Sequence, residues 1–304
     1  MKALITGSEG FIGTHLSREL EEHGYEVIRC SLAGGEGFTA MNILDPEMVN
    51  TVIADTCPDI LINMAGQANV GLSWKKPQLT VSLNTIGLIN VLEAVRSVNP
   101  KMRVIAVGSS DEYGSLEKRG ANVTEDIPIK PITPYAISKA AQESFAQLYN
   151  RAYGMNICMI RLFNLGGPYQ GKGYMISDFA SGIADVEAGK KEFLSVGNLE
   201  SARDFTHVRD AARACRLIAE KGQTGEIYNV SSGSTHTAQE VLDLLLSMAN
   251  KEIQVKQDPA RMRPSDTPVV CGNHDKLTAH TGWLPEYSMQ EILADSLAYW
   301  RSLE

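Results

Sequence analysis

The turn Thr6-Gly7-Ser8-Glu9-Gly10-Phe11-Ile12-Gly13 constrains this chain more than any other stretch. Ahead of it runs Ala3-Leu4-Ile5, short and apolar, which reads as a buried strand. Behind it, Phe11-Ile12, His15-Leu16 and Leu20 recur at helical spacing. In a strand–turn–helix unit each glycine has a task. Gly7 permits the tight turn, Gly10 lets a phosphate approach the backbone, and Gly13 lets the helix pack closely on the strand. The unpaired N–H groups and partial positive charge of the helix start then suit a diphosphate. The turn therefore predicts a dinucleotide site.

Strand and helix go on alternating beyond this turn. Strands are expected at Lys2–Thr6, Glu26–Cys30, Ile60–Met64, Arg103–Val107 and Asn156–Leu162, with helices at Phe11–His23, Pro46–Asp55, Pro77–Val98 and Pro134–Tyr153. Alternation with apolar strands implies a parallel sheet covered on both faces, with ligands at the strands' carboxyl ends. The expected fold is α/β, a doubly wound parallel sheet (a Rossmann fold) with a smaller, discontinuous substrate-binding lobe. Residues 1–165 would form the dinucleotide domain and 166–304 the lobe, with a return to the first sheet around 204–232 through a strand at Glu226–Val230. Within the lobe, Ala238–Ala249 and Met289–Trp300 read as helices, and the stretch after Gly166 reads as irregular.

The balance of charge limits the partners. With 28 Lys and Arg against 36 Asp and Glu, the net charge is −8, which argues against nucleic acid or an anionic membrane surface. An anionic ligand must then meet locally placed arginines. Five scattered cysteines lack metal-ligand spacing, so no metal is expected and a reducing compartment fits. No leader fits ahead of a strand that starts at residue 2, and a cytoplasmic protein is expected. Helix Pro77–Val98 is apolar on more than one face, through Leu79, Leu83, Ile86, Leu88, Ile89, Val91, Leu92 and Val95. One side packs on the sheet, and a second copy of the chain would cover the other, so a homodimer is expected. Ala136, Ala140, Ala141 and Ala146 of the next helix would allow close approach. The six histidines form no ligand pair and receive no role.

The candidate chemistry lies in Thr133-Pro134-Tyr135-Ala136-Ile137-Ser138-Lys139. Proline marks the helix start, so Tyr135 and Lys139 share one face a turn apart. A phenol titrates near pH ~10 unaided, and a neighbouring ammonium lowers that value toward the working range. The apolar strand Val104–Gly108 delivers Ser109 at its carboxyl end, where a hydroxyl can hold a substrate oxygen beside Tyr135.

Glycine turn, serine and Tyr-x-x-x-Lys in this order resemble the extended short-chain dehydrogenase/reductase family over nearly the whole chain. Asn63-Met64-Ala65-Gly66 and Asn84-Thr85-x-Gly87-x-x-Asn90 are further matches. The resemblance implies Ser109, Tyr135 and Lys139 as the catalytic triad. It implies cofactor contacts from Gly7, Gly10, Phe11, Ile12, Gly13, Met64, Ala65 and Gly66, and from Asn42 and Ile43. Asn42 stands where many relatives carry an Asp contacting adenine.

Arg161-Leu162-Phe163-Asn164, Val196-Gly197-Asn198 with Arg203-Asp204-Phe205, and Arg263-Pro264-Ser265-Asp266 are similar to segments that grip GDP in the family's GDP-mannose branch. This implies substrate contacts from Asn164, Asn198, Arg203, Arg263 and Asp266, with the two arginines on the diphosphate, and Asp111 is expected to join them. The implied reaction is reduction of C4 in a GDP-linked 4-keto-6-deoxy sugar, GDP-4-keto-6-deoxy-D-mannose, to GDP-D-rhamnose. A 4,6-dehydratase or 4-epimerase is the alternative, and a cofactor-binding regulator without catalysis a remoter one. The branch's dehydratases use a Glu two residues before a Tyr-Gly pair. Here that place holds Asp111, with shorter reach, which favours reduction. For the cofactor, no acid ends the second strand, where Cys30 and Ser31 stand. Nothing there repels a 2′-phosphate and Ser31 can donate to it, so NADP(H) is expected over NAD(H).

Overall fold

The computed structural model describes residues 1–114, 121–259 and 270–304. In chain order the first half reads β1 (Lys2–Thr6), α1 (Phe11–Glu22), β2 (Glu26–Ser31), β3 (Thr39–Ala40), α2 (Pro46–Thr56), β4 (Ile60–Asn63), α3 (Val70–Lys75), α4 (Pro77–Val81), α5 (Gly87–Val98), β5 (Arg103–Ser109), β6 (Ala121–Val123), α6 (Pro134–Tyr153) and β7 (Ile157–Leu162). It continues through β8 (Asn164–Gly166), α7 (Met175–Glu187), β9 (Leu194–Val196), β10 (Ala202–His207), α8 (Val208–Lys221), β11 (Ile227–Val230), β12 (Thr235–Thr237), α9 (Ala238–Ser247), β13 (Val255–Gln257), β14 (Val270–Gly272), α10 (Asp275–Thr281) and α11 (Met289–Ser302).

Among these residues a seven-stranded parallel sheet runs β11-β7-β5-β4-β1-β2-β3. Strand alternation sends Ala3 and Ile5 to one face and Leu4 to the other. The first face packs on α1 and α8 through Leu16, Leu20, Ala211, Cys215 and Ile218. The second packs on α2, α5 and α6 through Val49, Ile53, Leu88, Val91, Leu92, Val95 and Ala146. This is the doubly wound α/β architecture that the alternating pattern implies. The chain leaves β1 toward β2 on one side and β4 on the other, so a crevice opens at their carboxyl ends.

A smaller lobe has its own core, from α7, α9 and α11 with Phe205, Leu194 and Val196. A second sheet, β12-β10-β14-β6 with β8 also on β10, joins the lobe to the first sheet. The chain passes between the two bodies repeatedly. From β10 it runs into α8 and β11 on the large sheet, returns to the lobe at α9, and comes back with α10, whose Leu277 and the following Trp283 sit in the first core.

Two expectations need correction. The region after Gly166 is not irregular but contains α7 and α8. Ile176, Phe179, Ala180 and Ile183 line the buried side of α7, and Ala211, Ala214, Cys215 and Ile218 that of α8. The helix over 77–98 is not one regular helix, because Ser82–Ile86 winds as a π-helical turn. There the Asn84 side chain bonds Gln67 N (2.7 Å), Gln67 O (3.0 Å) and Ser138 Oγ (2.8 Å). By length and composition 77–98 could cross a membrane, but half of it is buried against protein, as a core helix requires. Ala136, Ala140 and Ala146 also turn inward and are buried in this chain's own fold. The outward side carries Ile137 and Leu148 instead.

A candidate active site between the two lobes

A cleft of about 780 Å³ lies at the carboxyl ends of β1, β4 and β5 and is closed on its far side by β10 and α7. The glycine turn forms one end. Gly7 adopts φ +63°, and a Cβ there would come within 2.9 Å of the Ala65 backbone. At Gly13 a Cβ would stand 2.5 Å from Gly7 O, so only glycine lets α1 start this close to β1. The first intrahelical bond runs from Thr14 N to Gly10 O, which leaves the N–H groups of Phe11, Ile12 and Gly13 at the open helix end. Without side chains at 7, 10 and 13, the turn is a backbone cradle of the kind a diphosphate fits. Gly7, Gly10, Phe11, Ile12, Gly13, Met64 and Gly66 all line the cleft.

The other expected cofactor residues lie off that wall. Ser31 is buried, and its hydroxyl accepts Gly34 N at 3.0 Å. Asn42 folds back to accept Leu44 N at 3.1 Å. Ile43 is buried against Gly87, and its carbonyl accepts from Asn90. Ala65 meets the cradle through its backbone.

The expected reacting groups, Ser109, Tyr135 and Lys139, lie together on the cleft wall at the end of β5. Thr133 caps α6, accepting Ala136 N at 3.0 Å, and Pro134 fills the first helical position. That places Tyr135 and Lys139 in the first turns, both about nine-tenths buried and both on the cleft wall. Lys139 Nζ donates to Val107 O (2.7 Å) and Gln142 Oε1 (3.2 Å). Ser109 opens a 3-10 turn, Ser110–Tyr113, and its hydroxyl accepts Asp111 N at 3.2 Å. Contrary to the lowering expected from Lys139, burial, and then the charge of Asp111, push the Tyr135 phenol upward, while the Ser109 hydroxyl pulls it back. Burial lowers Lys139 to about 8 against the opposing pull of Glu112. A phenol kept neutral beside a serine hydroxyl can give a proton to an oxygen between them.

The remaining wall is the lobe's. Ser201 just before β10 and Arg203 and Phe205 on it alternate to face the cleft, while Asp204 points away. Asp204 is fully buried, accepting Ser232 N (2.9 Å), Ser232 Oγ (2.7 Å), Gly233 N and Gly272 N (3.1 Å each). This clamp fixes the strand that presents Arg203. Asp111, Asn164 and Asn198 complete the expected substrate residues on the wall. Arg263 and Asp266 lie outside the described residues. Sequence reasoning missed Gln67, Gln170, Tyr174, Ile176, Asp178 and Phe179, which also line the cleft. Gly171 and Gly173 around Tyr174 were the available signal, since close glycines often let a loop approach a ligand.

Comparison with known proteins gives consistent neighbours. Residues 4–296 match the model of the family described as GDP-mannose 4,6 dehydratase. The chain is 30% identical to the GDP-6-deoxy-D-mannose reductase of Pseudomonas aeruginosa, over 99% of this chain and 97% of that one. It is 26% identical to a GDP-mannose 4,6-dehydratase of Yersinia enterocolitica, over 98% and 93%. The solved structure of RMD from Pseudomonas aeruginosa complexed with NADPH superposes with a TM-score of 0.90 at 29% identity, covering 100% of this chain and 99% of that one.

Proposed function

Since the chain belongs to the GDP-mannose 4,6-dehydratase family of extended short-chain dehydrogenases/reductases, we propose that it reduces the C4 keto group of GDP-4-keto-6-deoxy-D-mannose to GDP-D-rhamnose with NADPH. The observation that carries this reading is the pairing of the buried Tyr135 hydroxyl with Ser109 at the end of β5, where burial favours the neutral phenol. The bound reduced nicotinamide supplies the hydride. Tyr135 donates its proton to the C4 oxygen, Ser109 orients that oxygen, and Lys139 holds the cofactor ribose beside Tyr135. Arg203 meets the diphosphate with its guanidinium fork, while Asn164, Asn198 and Asp111 hold the rest of the substrate. Arg263 and Asp266 are assigned to the same substrate by their sequence context.

Dehydration is the second reading, favoured by the family model and by the dehydratase relatives. It needs a base to remove the C5 proton. The only glutamate of the 109–114 turn, Glu112, is fully buried and off the cleft wall, and Asp111 has the shorter side chain. Given GDP-mannose alone, the protein should leave it unchanged, and appearance of a 4-keto product would establish the dehydratase instead.

Cofactor choice turns on the end of β2. Arg29 pairs with Glu21 of α1 at the surface, so the case for a 2′-phosphate does not depend on it. Ser31 is buried off the cleft wall, so the reading rests on the absence of an acid at the end of β2, and a modest preference for NADPH is expected. Measuring kcat/KM for both cofactors on the same keto sugar tests reduction and preference together, and equal or better use of NADH overturns the preference.

For the nucleotide, GDP should raise the unfolding temperature more than UDP, and Arg203→Ala should weaken that protection. Equal protection by UDP would remove the assignment to GDP-sugars.

A homodimer is expected through the outward faces of α3, α4, the turn Ser82–Ile86 and α6, where Trp74, Leu79, Val81, Ile86, Ile137 and Leu148 are exposed. Light scattering that finds a monomer at micromolar concentration would sink this. With all five cysteines unpaired, the protein fits a reducing, cytoplasmic setting.

A further inference from the structure

One ionisable side chain sits directly behind the reacting groups without facing the cleft. Glu112 is fully buried in the turn that Ser109 caps. Its Oε1 accepts the Ser109 N–H at 2.7 Å, and its carbonyl accepts Lys130 N at 3.0 Å. The fit is close enough that a Cβ at Gly108 would fall 2.4 Å from Oε1. The other oxygen, Oε2, is buried with no hydrogen-bond partner among the described residues. It lies 3.8 Å from Arg161 Nε, but that guanidinium is already engaged by Glu143 through bonds of 2.8 and 2.7 Å. On the other side of the same strand end, Lys139 grips Val107 O.

We propose that Glu112 is a positioning residue of this site, fixing Ser109 through the main chain and acting on Lys139 from behind β5. This rests on reading Ser109, Tyr135 and Lys139 as the reacting set.

The charges around Glu112 come from every neighbouring element. Helix α6 brings Glu143 and Lys139, β7 brings Arg161, and the segment after β6 brings Glu125, which accepts Asn229 N. Its own turn adds Tyr113, bonded to Asn229, and Asp111 on the cleft side. Burial raises Glu112 most, and the like charge of Glu143 raises it further. The Ser109 N–H, Arg161 and Lys139 oppose them. Burial alone would strip Lys139 of its proton at a lower pH, and the Glu112 charge acts against that. The sign is therefore fixed. As pH rises and Glu112 ionises, Lys139 holds its proton longer than it would beside a neutral neighbour.

Glu112→Gln keeps an acceptor for Ser109 and removes the charge. The midpoint of Lys139 can be read in the free protein by carbon-13 NMR of labelled lysines, with Lys139→Arg identifying the resonance. Glu112→Gln should move it down by about one pH unit, and the basic limb of the kcat profile should move the same way. Glu112→Ala removes the acceptor too and should give a kcat about five-fold below that of Glu112→Gln, with KM unchanged. An unmoved Lys139 midpoint in folded Glu112→Gln overturns the charge role, and equal kcat in Gln and Ala variants overturns the Ser109 role. If Glu112→Gln does not fold, Glu112→Asp decides, since withdrawing the carboxylate by one carbon must move the midpoint down by a smaller step. A wild type inert toward the keto sugar would remove the reaction assigned above, while the lysine titration would still test Glu112.

Discussion

Tyr135→Phe should lower kcat by about 100- to 10,000-fold, the usual contribution of a positioned general acid, and leave cofactor binding nearly intact. Phenylalanine keeps the ring that is buried in the first turn of α6 and removes only the O–H. The proposed acid role has a physical basis in the site. Burial and the Asp111 charge hold the phenol in its neutral form, so the proton is present when a developing alkoxide needs it. Ser109 and Lys139 would be untouched, and the cradle at Gly7–Gly13 lies on another strand. Nicotinamide fluorescence separates the two effects by measuring binding apart from turnover. Retention of more than about a tenth of the wild-type kcat would remove Tyr135 from the acid role.

Arg161→Met should cost about 3–5 kcal/mol of stability, because it leaves a buried carboxylate without its partner. Arg161 lies on β7 with only 3% of its surface exposed. It makes two bonds to Glu143, donates to Glu125 O at 3.3 Å, and stacks its guanidinium 4.7 Å from the Tyr113 ring centre. Methionine fills much of the volume and supplies none of the charge, so Glu143 and Glu112 would face each other in an apolar pocket. For a chain of this size the melting temperature should fall by roughly 10 °C, and a loss under about 3 °C would contradict the account. The double variant Arg161→Met, Glu143→Met should recover much of the loss, since removing both charges removes the unpaired one. No recovery would mean that the pair acts through packing and not through charge.

The sequence made the first sheet readable because its signals are local. Five strands and the helices α1, α2 and α6 are written as apolar runs and caps whose meaning does not depend on distant residues. The glycine turn and the Tyr135–Lys139 spacing are of the same kind. Helices α7 and α8 were equally periodic, yet they come after a run of Gly, Pro and polar residues, and their buried faces lean on Ala, Ser and Gly. Small residues carry little hydrophobic contrast, so the period was easy to miss. The π turn at Ser82–Ile86 was not legible at all, because it is stabilised by Gln67 and Ser138, remote in sequence. Glu112 escaped for a related reason. Its neighbours Arg161 and Glu143 lie 49 and 31 positions further along the chain, and nothing in Asp111-Glu112-Tyr113 says which carboxyl turns inward.

The repeated passage of the chain between its two bodies bears on how such a protein can be altered. Strand β11 lies on the edge of the large sheet beyond β7, and α8 covers the face that α1 leaves open. A fragment ending at Gly166 would lack both, exposing Ile160 and Cys158 of β7 and the buried side of α1 to water. Neither half is therefore a cassette. A recombination that exchanges the C-terminal half between relatives at a single junction would carry away part of the other half's core. New substrate preferences must arise in place, by changes on β10, α7 and the loop at 170–174, while the woven frame is inherited whole.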